Sequence, residues 1–158
     1  MKGKGEIGQT MIFSKRSRYG IRALVDLAVY GQNTRVQLSE IANRNDISVK
    51  YLEQIFTALR KAGVIRSIKG PQGGYQLADR PENIHISGII EVLDGSYSLE
   101  AEEIISGKNG EATSLVIQKS IIEPMNQMLE NFLSGLTLDK LIESFGDYTE
   151  YHQNMYYI

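Results

Sequence analysis

Cysteine does not occur among the 158 residues. Disulfides, thiolate metal centres, thioether haem attachment and cysteine nucleophiles are excluded together. Nothing in the sequence therefore calls for an oxidising compartment. Long hydrophobic runs are missing too, and none approaches the roughly eighteen apolar residues of a membrane span. The opening stretch, residues 1–10, has two Lys but no apolar segment behind them, so it is not a signal peptide. Histidine is scarce. His85 and His152 stand far apart, and neither lies in a nucleophile or metal motif. Gly70–Gly74 lacks Walker spacing and no helix follows it, so it reads as a turn and not a phosphate loop. There is no internal repeat and no low-complexity tract. The expectation is a cytoplasmic, soluble, non-catalytic protein without a metal.

What is present is uneven charge. The formal net charge is −2. From Met11 to Arg80 twelve Lys/Arg face five Asp/Glu, whereas from Pro81 to Ile158 three Lys face thirteen Asp/Glu. A basic first half suggests a polyanion-binding module joined to something else. An apolar fraction of 42% argues against disorder, and the length fits one compact domain with an extension.

Residues 1–10 read as a flexible leader. Ser14 to Tyr30 follows a helical period, with Ser14 as cap and Gly31 ending the helix in the left-handed conformation. A short helix is expected over Leu38–Arg44, with a turn at Asn45-Asp46. Ser48 caps a longer helix to about Ala62, whose stripe is Leu52, Ile55, Phe56, Leu59 and Ala62. Val64–Lys69 and Tyr75–Leu77 flank a Gly/Pro tip and form a hairpin. Ile84–Leu93 reads as a fourth helix beginning near Ser87, then Asp94–Thr113 as a weakly patterned acidic connector. Ser114–Leu133 is helical again, with Pro124 kinking it or beginning its second half. Thr137 caps a last helix, Leu138–Phe145, before a polar and aromatic tail. The domain reading is leader 1–10, winged helix-turn-helix 11–80, short helix and connector 81–113, dimerisation helices 114–145 and tail 146–158.

Helix, short helix, turn, longer helix and Gly-tipped hairpin is the winged helix-turn-helix plan. The fold class is mainly α with a small β-hairpin wing, plus a long dimerisation helix. The longer helix can enter a major groove while the hairpin reaches phosphates or the minor groove. Its exposed face is Lys50, Glu53, Gln54, Thr57 and Lys61, with Tyr51 near the groove-entering end. Gln pairs with adenine, Glu accepts from cytosine, and Ser48 or Thr57 bonds base edges or phosphates. Lys69 stands at the wing tip, and Arg16, Arg18, Arg66 and Lys50 are candidate phosphate contacts. The partner implied is double-stranded DNA. The stripe Leu115, Ile122, Met125, Met128, Leu129, Phe132 and Leu133 is too apolar for a lone helix, which points to a homodimer. Two rivals are a dimeric interaction module that no longer binds DNA, which the basic half and intact wing oppose, and an acidic-residue hydrolase, for which no motif speaks.

Met11-Ile12-Phe13-Ser14-Lys15-Arg16-Ser17-Arg18-Tyr19-Gly20 resembles the opening of the Rrf-two family of bacterial transcription regulators. Ser48–Ile55 and Ile68–Leu77 resemble that family's recognition helix and wing. The resemblance implies a homodimer reading an imperfect palindrome. It implies Ser48, Lys50, Glu53 and Gln54 as groove-facing residues, and Lys69 as the wing contact where arginine is more usual. Many family members hold an iron–sulfur cluster through three connector cysteines. The stretch Ser96–Ala112 has Glu100, Glu102 and Glu103 and no Cys, so no cluster cofactor is expected. Those carboxylates read as a solvated face and not as a hard-cation site.

The end, Asn154-Met155-Tyr156-Tyr157-Ile158, is similar to that of a cluster-free branch of the family, the cysteine-metabolism repressors of Gram-positive bacteria. That resemblance implies a complex with cysteine synthase, in which Tyr157 and Ile158 are the partner-binding residues and the Ile158 carboxylate mimics the enzyme's amino-acid substrate. The rival expectation is that the tail docks on the dimer core.

Overall fold

The computed structural model describes residues 13–107 and 109–156. The expectations for residues 1–10, Met11, Ile12, Tyr157 and Ile158 lie outside those residues. Helix α1 spans Lys15–Tyr30, and the Ser14 hydroxyl accepts from the Ser17 amide at 3.2 Å as its cap. Gly31 ends it, but with φ −106° and not in the left-handed region. Closeness requires the glycine instead, because a Cβ there would lie 2.5 Å from the Leu27 carbonyl oxygen.

Helix α2 is Leu38–Asn45, entered through a reciprocal box in which the Glu40 carboxylate accepts from the Gln37 amide at 3.1 Å. Asp46 then takes the left-handed conformation, φ 52°, and turns the chain into α3, Val49–Lys61. Leu52, Ile55, Phe56 and Leu59 are fully buried along one stripe of α3. Ala62, expected on that stripe, is exposed past the helix end. Gly63, at φ 77°, redirects the chain into strand β1, Ile65–Ile68, which pairs antiparallel with β2, Gly74–Leu77.

A short 3-10 turn, Pro81–Asn83, precedes α4, Ile86–Asp94, which starts one residue before the expected Ser87. His85 occupies its cap position, exposed, with Nδ1 2.7 Å from the Ser134 carbonyl oxygen. The described connector residues, 95–107, carry no regular structure, and α5 follows as Gly110–Ile117. One π-helical turn, Gln118–Ile122, joins α5 to α6, Glu123–Gly135. Proline lacks an amide and crowds the carbonyl four residues back, and the wider turn ahead of Pro124 accommodates both defects without ending the helix.

The last helix, α7, spans Leu138–Met155. It does not stop at Phe145, and the residues read as a tail continue it through Gly146. An interior glycine costs only about 1 kcal/mol relative to alanine. The Thr137 hydroxyl donates to the Asp139 carboxylate instead of accepting from a backbone amide.

The core gathers α1, α3 and α4 around Leu24, Leu27, Phe56 and Ile89, closed by Leu133 of α6 and Leu138 of α7. No helix among the described residues is long and apolar enough to cross a membrane.

Candidate nucleic-acid interface

Burial of one stripe of α3 turns the opposite stripe outward. Lys50, Glu53 and Gln54 are all exposed. Ser48 is exposed as well, and its oxygen accepts from the Tyr51 amide at 3.2 Å, which leaves its proton free for a base edge or phosphate. Thr57 is half-buried and donates to the Glu53 carbonyl at 2.8 Å, so its hydroxyl faces a ligand only as an acceptor. Tyr51 is half-buried, its ring edge-on to Tyr19 at 5.8 Å, with the Arg22 guanidinium 5.7 Å from the Tyr19 ring. Tyr51 therefore braces α3 against α1.

The wing is tied to the same helix. The Phe56 ring meets Tyr75 of β2 edge-on at 4.9 Å. On its other side Tyr75 exchanges two backbone bonds with Val36, at 2.9 and 3.1 Å, an isolated antiparallel bridge that ties the α1–α2 link to the two-stranded hairpin. Lys69 is exposed at the tip. Arg35, overlooked by sequence reading, donates to the Gln72 side chain at 3.4 Å and brings a second cation to the wing turn. Its signal was the β-prone Val36 beside it within a link that otherwise looks polar.

The remaining basic candidates separate. Arg18 is exposed, donates from Nε to the Phe13 carbonyl at 2.8 Å and stacks 4.8 Å from the Phe13 ring. Arg16 is half-buried, and its Nε is buried without a partner among the described residues. Arg66 donates across the hairpin to the Gln76 side chain at 3.2 Å. It lines a cleft of about 550 Å³ together with Asp79, Glu82, Asp139 and Glu143, away from the tip.

The apolar stripe of the long helix divides in the same way. Met128 is 71% and Phe132 66% exposed, with Leu115 and Met125 exposed beside them. Ile122 is half-buried, Leu129 packs against the chain's own core, and Leu133 lies within it. Ile121, absent from the expected stripe, is exposed and continues the spacing 121, 125, 128, 132.

The connector offers no thiolate, since the chain has no cysteine. Among the described residues no group of three or more His, Cys, Asp or Glu side chains is placed to hold a metal. Within the connector the backbone amides of Glu102 and Ile105 are already satisfied by Gln118 and Ser114. An iron–sulfur cluster does not fit these residues.

Comparison with known proteins gives the family. The family model described as "Rrf2: Iron-dependent Transcriptional regulator" matches residues 13–144. The HTH-type transcriptional regulator IscR of Aliivibrio salmonicida is 31% identical over 132 residues, covering 84% of this chain and 77% of that protein. Among solved structures, CymR of B. subtilis, the global cysteine regulator, superposes with a TM-score of 0.68 at 31% identity, covering 85% of this chain and 98% of that one. The oxidized form of Staphylococcus aureus CymR gives 0.66 at 34% identity, covering 84% and 97%. The chain belongs to the Rrf2 (Rrf-two) family of winged-helix, DNA-binding transcriptional regulators.

Proposed function

We propose that the chain is a cytoplasmic repressor that binds an imperfect DNA palindrome as a homodimer. The observation that carries this reading is the exposed row Lys50, Glu53 and Gln54, on a helix whose other face is braced by the wing through Phe56 and Tyr75. Gln54 and Glu53 read base edges, Ser48 and Lys50 meet the groove wall, and Lys69 enters the adjacent minor groove. Arg16 and Arg18 hold phosphates at the start of α1. The exposed face Ile121, Met125, Met128 and Phe132 supplies the dimer contact. No cofactor takes part, and the acidic second half keeps non-specific DNA contact to the first. The test is selection of duplexes from a randomised library by the purified protein. Symmetric half-sites support the reading, and recovery of no enriched sequence refutes it.

The regulated process is cysteine or sulfur metabolism, through a complex with cysteine synthase engaged by Tyr157 and Ile158. Its support is the likeness to two CymR structures, one of them described as a global cysteine regulator. Removing Ile158 is expected to abolish binding to purified synthase, with O-acetylserine competing in the intact protein. Undiminished synthase binding by the shortened chain refutes this part and leaves the DNA reading standing.

A further inference from the structure

The connector is laced to the long helix by four side chains on one helical face. Asn126 clamps Leu99 twice, accepting from its amide at 2.7 Å and donating to its carbonyl at 3.1 Å. One turn further on, Glu130 accepts from the hydroxyl of Tyr97, a ring only 4% exposed. In the other direction Gln118 accepts from the Glu102 amide at 2.8 Å, and the buried Ser114 hydroxyl accepts from the Ile105 amide at 3.2 Å. As connector positions rise from 97 to 105, helix positions fall from 130 to 114, so the two segments run antiparallel.

The π turn is what keeps these four groups in line. The eight residues between Asn126 and Gln118 overshoot two α-helical turns by about 0.8 residue. That overshoot would swing Gln118 well away from the connector. The turn Gln118–Ile122 takes up the surplus and returns Gln118 to the face of Asn126. Just before the connector, Asp94, the last residue of α4, accepts from both the amide (3.0 Å) and the hydroxyl of Ser14, the cap of α1. A chain of bonds thus runs from the long helix to the helix that carries Arg16 and Arg18.

We propose that this ladder is a strut, in which Asn126, Gln118 and Ser114 are positioning residues that set the angle between the winged domain and the long helix. In the homodimer, on which this inference rests, that angle fixes the separation of the two recognition helices. Bivalent binding gains its affinity only where the geometry lets both modules engage at once. Half-site spacing is therefore chosen by the ladder and not by the residues that touch DNA. The three positioning residues use only amide and hydroxyl groups, so the spacing is independent of iron.

The test uses the full chain, its Asn126→Ala and Gln118→Ala variants, and a duplex enriched by the wild type from a random library. A shortened duplex carrying one half-site is the control. Both variants are expected to sediment as dimers and to bind the half-site as the wild type does. Affinity for the two-site duplex should fall about tenfold, a library of varied spacings should return a broader distribution, and the Leu99 and Glu102 amides should exchange faster. Unchanged two-site affinity and spacing in the dimeric variants overturn the strut alone. So does an equal loss on the half-site, or a wild-type spacing preference that shifts when ferrous iron is added or chelated anaerobically. A monomeric wild type overturns the dimer reading and the strut with it.

Discussion

Asp26 and Arg44 meet in a two-point ion pair, Nε to Oδ2 at 2.9 Å and Nη2 to Oδ1 at 2.7 Å. The Asn45 amide donates to the same carboxylate at 2.9 Å, and the Arg44 guanidinium lies 4.2 Å from the Tyr30 ring. The hydrogen bond to Asp26 raises the Arg44 pKa above its ordinary value against the opposing effect of burial. The pair pins α2 to α1 behind the recognition helix. Asp26 is buried, while the Arg44 side chain keeps 32% of its exposure. Removing the carboxylate leaves a cation that water still reaches, so Asp26→Ala should cost about 2 kcal/mol, below the 3–5 kcal/mol typical of a fully buried pair. Urea unfolding measures this, and an unchanged midpoint contradicts it.

Phosphate contacts make DNA affinity depend on salt. The logarithm of the binding constant should fall with the logarithm of salt concentration, with a slope of about −0.9 per phosphate neutralised. Lys69→Ala should weaken binding and reduce that slope by about one, whereas Gln54→Ala should chiefly relax base preference. Fluorescence anisotropy over a salt series separates the two. A flat salt response in the wild type removes the phosphate assignments.

The elements legible in the sequence are those whose causes are local. Ser14 and Ser48 cap because a short hydroxyl reaches an amide three residues on, and the stripe from Leu52 to Leu59 repeats with the helix. What escaped depends on distant partners or on phase. Val36 forms its backbone bridge only because Tyr75, far along the chain, presents a matching backbone. The stripe on the long helix shows that a face is apolar but not which part the chain covers itself. The π turn then shifts the phase, so Ile121 replaces Ile122 on the exposed side. At Gly146 a single glycine gave too weak a signal against a stretch free of proline, where the Thr149 hydroxyl bonds back to the Phe145 carbonyl at 2.7 Å.

The division of that stripe yields opposite outcomes for neighbouring residues. Met128→Glu or Phe132→Glu places a charge on an exposed apolar face and should give a monomer with unchanged helical content. Leu133→Ala opens a hole in the chain's own core and should cost about 3 kcal/mol in stability. Sedimentation and denaturant titration on the same samples resolve these effects. A Met128→Glu protein that stays dimeric moves the interface elsewhere.

Tyr97 gives the connector a pH signature. Its hydrogen bond to Glu130, reinforced by burial, pushes the phenol from 10 up to about 12. The folded protein therefore holds that proton more tightly than the unfolded chain does. Stability from this bond is complete below pH 10 and is lost as the pH rises towards 12. The free energy of unfolding should decline across that window, and in Tyr97→Phe the decline should be shallower, because no phenol remains to titrate. Ultraviolet titration of tyrosinate adds an independent reading: the variant should lose one late-ionising group from the nine tyrosines of the chain. The Asn126 clamp on Leu99 survives this substitution, since it uses only the Leu99 backbone. Loss of the late phenol with an equally steep decline in stability would place the alkaline sensitivity elsewhere in the molecule.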